Sequence, residues 1–526
     1  MNKLKKGIVA GLLVSAVALT AVFSGKFKNA KADNIESTSG AKYERNTNLS
    51  VDSNGVLQVK RNELGNEPMG KKGTWTIFVY MCGSDLETNY HAASNDIKEM
   101  ISAPESDKVN IVIQTGGANA WNKPAIEADR IGRYIIKNNR IELVESHPNA
   151  NMGDGSTFKS FLNWGIKNYS AEKMGVVLWN HGGGTLGGVC CDENNEYDSL
   201  SLLEMEKAFS DVSKKMTDKF EFVGFDACLM ASLETANLLV PYANYMVASE
   251  QVESCDGWYY KPFVSALVEN PTIDGKEVGK AIVDGFMKVV EEVGEEYEFS
   301  TLSVIDLSKV DNAIVAFNDI AKQLDEMSVS DKELDEFASE AANSTGEGCG
   351  DYEYGMVDLY SYMDKISNLV GNTDKVKEAI NNMVVYEKHA KGAPNAHGIT
   401  FYFPTMEVGM DMMNMLRNAV TSPYYMNFLD KMECYNVFIY DDMKNQGYLD
   451  ENYNQVDGKD IKDYVHSEYN LQNYKDNNWE NSKYYFDRDY EFMEYNFNYI
   501  EEYEELREFP YYAETTFDDN WYELYK

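Results

Sequence analysis

Met174-Gly-Val-Val-Leu-Trp-Asn-His-Gly-Gly-Gly184 starts as an apolar run and ends in a histidine followed by three glycines. The run is apolar at consecutive rather than alternate positions. That pattern predicts a strand buried on both faces, as in a parallel sheet covered by helices. Four more runs share it: Trp75-Thr-Ile-Phe-Val-Tyr-Met81, Asn110-Ile-Val-Ile113, Phe220-Glu-Phe-Val-Gly-Phe225 and Tyr245-Met-Val-Ala248. Between them lie stretches with helical spacing: from a cap at Ser84 or Asp85 through Met100, then Ser156–Tyr169, Leu200–Met216 and Ala231–Leu239. Strands alternating with helices specify an α/β fold, a mostly parallel sheet sandwiched by helices. Lys137-Asn138-Asn139 between two β-rich runs reads as a hairpin turn.

Further along, Lys276–Val293 and Asp374–Tyr386 read as helices, and Thr301–Ile305 as a strand leading into a helix from Val310. The apolar Gly398–Phe403 is a candidate late strand of the same sheet. Four segments are expected. Residues 1–32 carry a basic start, an apolar run and an Ala30-Lys31-Ala32 site, the pattern of a cleaved secretory signal. Residues 33–73 are polar and read as a linker or pro-segment. Residues 74–434 form the α/β unit with a helical insertion. Residues 435–526 form an extension rich in Tyr, Asp and Glu; from 441 on it holds 23 acidic and 8 basic residues.

The formal charge is −38. Such a chain repels nucleic acid and anionic lipid, and no run beyond the signal is long and apolar enough to span a bilayer. Seven cysteines, without a C-x-x-C pair, make neither a disulfide scaffold nor a zinc site. An odd count leaves at least one free thiol in a monomer, the oligomeric state expected here.

In open α/β sheets ligands bind beyond the carboxyl ends of the strands. Two strand ends carry reactive groups: His181 after the third strand and Cys228 after the fourth. An imidazole and a thiol on one edge supply the parts for covalent acyl transfer. The N–H groups of Gly182 and Cys228 are candidate oxyanion donors. A helix starting near Leu229 would bring its N-terminus to the sulfur and favour thiolate. The G-x-S-x-G elbow, the H-E-x-x-H helix and the Walker loop are all absent, so serine-hydrolase, zinc-protease and phosphate-loop readings fall.

Trp75–Met81, Asn180-His-Gly-Gly-Gly184, Phe225-Asp-Ala-Cys-Leu-Met230 and Gly398–Pro404 resemble, in order and spacing, the clostripain family of cysteine peptidases. The resemblance covers about Trp75 to Pro404; the acidic tail has no counterpart in it. It implies a caspase-like fold, a His181–Cys228 dyad, protein or peptide substrates cut after Arg or Lys, and Asp226 as the carboxylate that pairs the basic side chain. It also implies activation by cleavage. No Lys or Arg occurs from Gly182 through Glu206, so a cut after Lys71 or Lys72 is expected instead, with Lys214 and Lys215 as later candidates. The chemistry requires no cofactor; the resemblance raises calcium as a second option, but the oxygen-rich Asp192–Asp198 lacks the Gly and spacing of a calcium loop and is expected to be a solvated acidic loop. The competing expectation is a catalytically silent secreted surface or binding protein on a peptidase scaffold.

Overall fold

The computed structural model describes residues 46–62, 64–294, 297–345, 349–351, 354–404, 419, 421–450, 456, 458–459, 465 and 467. The expected signal peptide and most of the acidic extension lie outside these residues.

Nine strands form one sheet. In chain order they are β1 (Trp75–Cys82), β2 (Val109–Gly116), β3 (Arg130–Lys137), β4 (Arg140–Pro148), β5 (Lys173–Trp179), β6 (Phe220–Asp226), β7 (Ala243–Ala248), β8 (Thr301–Asp306) and β9 (Val384–His389). Their order across the sheet is β9-β8-β7-β6-β5-β1-β2-β3-β4. The five apolar runs become β7, β6, β5, β1 and β2, and all four pairings among them are parallel. The flanking strands pair antiparallel. Asn138 and Asn139 both adopt left-handed φ, 54° and 52°, which suits the tight turn joining β3 to β4.

Alternate residues of β1 enter opposite cores. Phe78 and Tyr80 meet Phe158 and Phe161 of helix Gly155–Tyr169. Ile77, Val79 and Met81 pack with Ala93, Ile97 and Met100. Both faces are thus closed by helices, and each large side chain buried this way contributes about 2 kcal/mol.

Several boundaries differ from the sequence reading. The helix from Ser84 is two, Ser84–Tyr90 and Ala92–Ser102, broken where His91 takes φ 62°. The helix at 374 stops at Met383, and the β-branched Val384-Val385 begins β9. Because β9 occupies the free edge of β8, the late apolar strand has no place there. Thr400–Tyr402 instead pairs with Met356–Asp358 in a separate three-stranded sheet. The segment before residue 74 is no bare linker: Thr47–Val51 and Leu57–Arg61 form a hairpin whose Leu49 and Leu57 join the core. The boundary drawn at 434 falls inside helix Pro423–Asn445, whose Met432 and Tyr435 are buried.

Candidate active site

β5 and β6 are parallel neighbours in a register that sets Asp226 beside Trp179. The chain leaves β5 through Asn180 to His181, and β6 through Asp226 to Cys228. Both residues therefore emerge at the same edge. The two loops are tied by the Asn180 N–H, which donates to the Asp226 carbonyl at 3.2 Å, while the Asn180 side chain braces its own loop by accepting from the Cys191 N–H at 2.8 Å.

His181 is buried. Its Nε2 lies 2.9 Å from Asp85 Oδ1, a partner absent from the sequence reading, where Asp85 stood as a helix cap. The N-cap position belongs to Gly83. The signal for Asp85 was its place three residues past the end of β1, the strand beside β5.

Gly182 pairs in a short bridge with Val189, in which Gly183 donates to Gly188 and Cys190 donates to the His181 carbonyl. The Gly182 N–H takes no part in it. The Cys228 N–H likewise has no backbone acceptor among the described residues. Neither expected oxyanion donor is bonded to a backbone carbonyl among the described residues. Gly182 also lies against the nucleophile loop: a Cβ there would stand 2.1 Å from the Cys228 carbonyl oxygen.

Cys228 is half-buried. Its sulfur accepts from the Glu253 N–H at 3.3 Å. Burial pushes the thiol up to about 12, and the Glu253 carboxylate adds to it. The helix expected at Leu229 begins only at Leu233, capped by Ser232. Leu229 takes φ 63° and donates to the Gln251 carbonyl, so the chain turns away first. The helix after the nucleophile thus starts five residues past Cys228, not beside it as expected.

Asp226, two residues before Cys228, is buried. Its carboxylate accepts from the Trp258 N–H at 3.1 Å and the Tyr260 hydroxyl at 2.8 Å. Desolvation pushes it up to about 7 despite these bonds. Around it stand Asp96, whose carboxylate accepts from the Trp179 indole, and Glu99, raised to about 7 by burial. Glu253 is buried too, with neither carboxylate oxygen hydrogen-bonded; the Trp258 indole lies near but out of bonding geometry. Desolvation and Asp226 raise it well above the usual range. None of these four acids is in a salt bridge with a Lys or Arg among the described residues. Only Asp226 was readable in sequence, because Asp96, Glu99 and Glu253 come from distant elements.

The first two carboxylates of the acidic loop are engaged by protein donors. Asp192 accepts from the Met152 and Asn194 N–H groups, and Glu193 from the Thr88 hydroxyl and Asn119 N–H. Among the described residues no three His, Cys, Asp or Glu side chains are arranged to hold a metal. Cys82, Cys190, Cys191, Cys228 and Cys349 are free thiols. No described helix is long and apolar enough to cross a membrane.

The family model "Clostripain family" of cysteine peptidases matches residues 79–521. The chain belongs to the clostripain family. Its match runs through the acidic extension, beyond the Pro404 limit read from motifs. Clostripain of Hathewaya histolytica is 25% identical over 448 residues, covering 71% of this chain and 80% of that protein. Among solved structures, the secreted C11 cysteine protease iotapain of Bacteroides thetaiotaomicron superposes with TM-score 0.51 at 17% identity, over 67% of this chain and 98% of that one. A Bacteroides thetaiotaomicron C11 protease bound to an irreversible peptide inhibitor gives TM-score 0.51 at 18% identity, with the same coverage. These clostripain-family structures share the caspase-like fold. The chain is a cysteine-type peptidase, and peptides or proteins are its substrates.

Proposed function

We propose that the chain is a secreted, monomeric endopeptidase that cuts after Arg or Lys, with Cys228 as nucleophile and His181 as general acid and base. One observation carries the specificity: four carboxyl groups, Asp226, Glu253, Asp96 and Glu99, gather around Asp226, two residues before the nucleophile, with no Lys or Arg in a salt bridge to them among the described residues. Buried acids without a counter-charge are costly. A guanidinium or ammonium entering among them removes that cost and gains charge-assisted hydrogen bonds.

In this mechanism the basic side chain docks toward Asp226 and sets the scissile carbonyl against the sulfur. The Cys228 thiol gives its proton to His181 as the sulfur bonds to the carbonyl carbon. The Gly182 and Cys228 N–H groups hold the resulting oxyanion. His181 passes the proton to the departing amine, leaving a thioester. It then takes a proton from water, whose oxygen attacks the thioester and frees the acid and the thiol. Protein groups supply each of these steps. Secretion rests on residues 1–32, and the iotapain relative is itself described as secreted.

The test is cleavage of matched peptides with Arg, Lys, Gln or Leu before the scissile bond, by wild type, Cys228→Ala and His181→Ala. A Lys- or Arg-based chloromethyl ketone should label Cys228 in wild type alone. No labelling together with no cleavage would leave the silent binding protein as the better reading.

A further inference from the structure

The loops leaving three parallel strands that are neighbours in the sheet carry an aspartate, a histidine and a cysteine. The chain reaches Asp85 from β1, His181 from β5 and Cys228 from β6, and β5 lies between the other two. His181 is thus flanked by a carboxylate on one side and the thiol's strand on the other. We infer that Asp85 is the positioning residue of the catalytic histidine, holding Nε2 so that Nδ1 handles the proton traffic. This inference rests on the dyad proposed above.

The contact is built rather than incidental. Nε2 and Oδ1 are 2.9 Å apart, with both side chains buried. The Ser84 hydroxyl donates to the same carboxylate oxygen at 3.1 Å. The short helix carrying Asp85 is fastened by Glu87, which accepts from the Ser94 N–H at 2.8 Å and the Asn122 N–H at 2.7 Å. At its start the Gly83 N–H donates to the Gly116 carbonyl, and a Cβ at Gly83 would meet Trp121 and Ala118. Asp85 therefore has little room to move, which is what positioning demands. Burial alone would push its carboxyl up, but the hydrogen bond and charge of His181 outweigh that and hold it below the usual range.

The chemistry follows from the two ring nitrogens. A carboxylate accepting from Nε2–H fixes the tautomer in which Nδ1 carries the lone pair. When Nδ1 takes the thiol proton, the carboxylate faces an imidazolium and stabilises it. Asp85 keeps its charge throughout and takes no proton, as in the corresponding role of a hydrolase triad.

The experiment compares Asp85→Asn, His181→Ala and the double variant with wild type, in full-length enzyme with an arginyl substrate. Asp85→Asn should lower kcat by about a hundredfold with KM little changed. Single-turnover acylation and deacylation should slow together, since both use His181. In the His181→Ala background, Asp85→Asn should cost nothing more, because it acts through the ring. A kcat within twofold of wild type would overturn the inference, and so would an equal loss in both backgrounds, the mark of a purely structural role. Full activity in His181→Ala would instead sink the underlying dyad. Thermal melts of each variant separate unfolding from lost chemistry, and the double-variant comparison stands even where Asp85→Asn lowers stability.

Discussion

The backbone of Gly182 lies directly against the carbonyl of Cys228, so close that any Cβ at 182 would stand 2.1 Å from its oxygen. The two loops of the site are thus set by backbone contact. Gly182→Ala must push them apart. We expect it to cost about 1–3 kcal/mol of stability through overpacking, and at least about a hundredfold in kcat as an oxyanion donor shifts. Steady-state kinetics with a thermal melt checks this; wild-type kcat in G182A would remove Gly182 from the oxyanion site.

Asp226 carries a prediction in which stability and function oppose. Its folded-state pKa, pushed up to about 7 by burial, exceeds that of an exposed carboxyl. The folded state therefore binds this proton more tightly than the unfolded chain. Stability falls as pH rises from about 4 to about 7, and the full cost stands above that. Asp226→Asn removes the charge and keeps groups able to bond Trp258 and Tyr260. It should melt higher than wild type at pH 8, by a few kcal/mol, with the gap closing toward pH 5. It should also lose Arg and Lys cleavage, while wild-type kcat/KM on such substrates rises through about pH 7. Equal melting at both pH values would contradict the burial argument; unchanged preference for basic residues would contradict the pocket.

The strands of the site were legible because they are apolar on both faces, a pattern few other elements share. His181 and Cys228 were legible because each interrupts such a run at its carboxyl end. Asp85 was not, since an aspartate just past a strand reads equally well as a helix cap, and only the strand order brings it to His181. Glu253 and Glu99 were invisible for the same reason: they converge on Asp226 from a loop and a helix that no local pattern relates. Gly398–Phe403 misled because its apolarity reports burial alone. Which sheet buries it depends on β9 having taken the edge of β8.

Cys228 gives a prediction about the resting enzyme. Burial and the neighbouring Glu253 carboxylate push its thiol up to about 12. A raised thiol pKa means less thiolate at neutral pH. Iodoacetamide should label Cys228 slowly at pH 7, and the rate should climb about tenfold per pH unit up to about pH 10. A small alkylguanidinium in the acidic pocket should speed labelling by offsetting the carboxylates. Peptide mapping separates Cys228 from the half-buried Cys255. A plateau already reached at pH 6–7 would mean that thiolate and imidazolium exist as a preformed pair, contrary to this arrangement.

The hairpin before residue 74 bears on activation. The Arg61 side chain is buried: its guanidinium donates to the Asn237 carbonyl at 3.0 Å, the Asn237 side chain at 2.7 Å and Asp311 at 2.7 Å. Asn237 belongs to helix Leu233–Leu239, the first helix after the nucleophile. Downstream, Glu67 and Thr217 exchange hydrogen bonds, Glu67 N–H to the Thr217 carbonyl and the Thr217 hydroxyl back to the Glu67 carbonyl. Lys71 and Lys72 are exposed in the turn that follows. A cut after either lysine should therefore nick the chain without releasing its N-terminal piece. The fragment should co-elute with the enzyme in size exclusion and separate only in denaturant. Arg61→Ala leaves buried acceptors unpaired and should cost about 2 kcal/mol, loosening the nicked fragment. Loss of the fragment from the nicked wild-type enzyme under native conditions would show that the hairpin is a removable pro-segment after all.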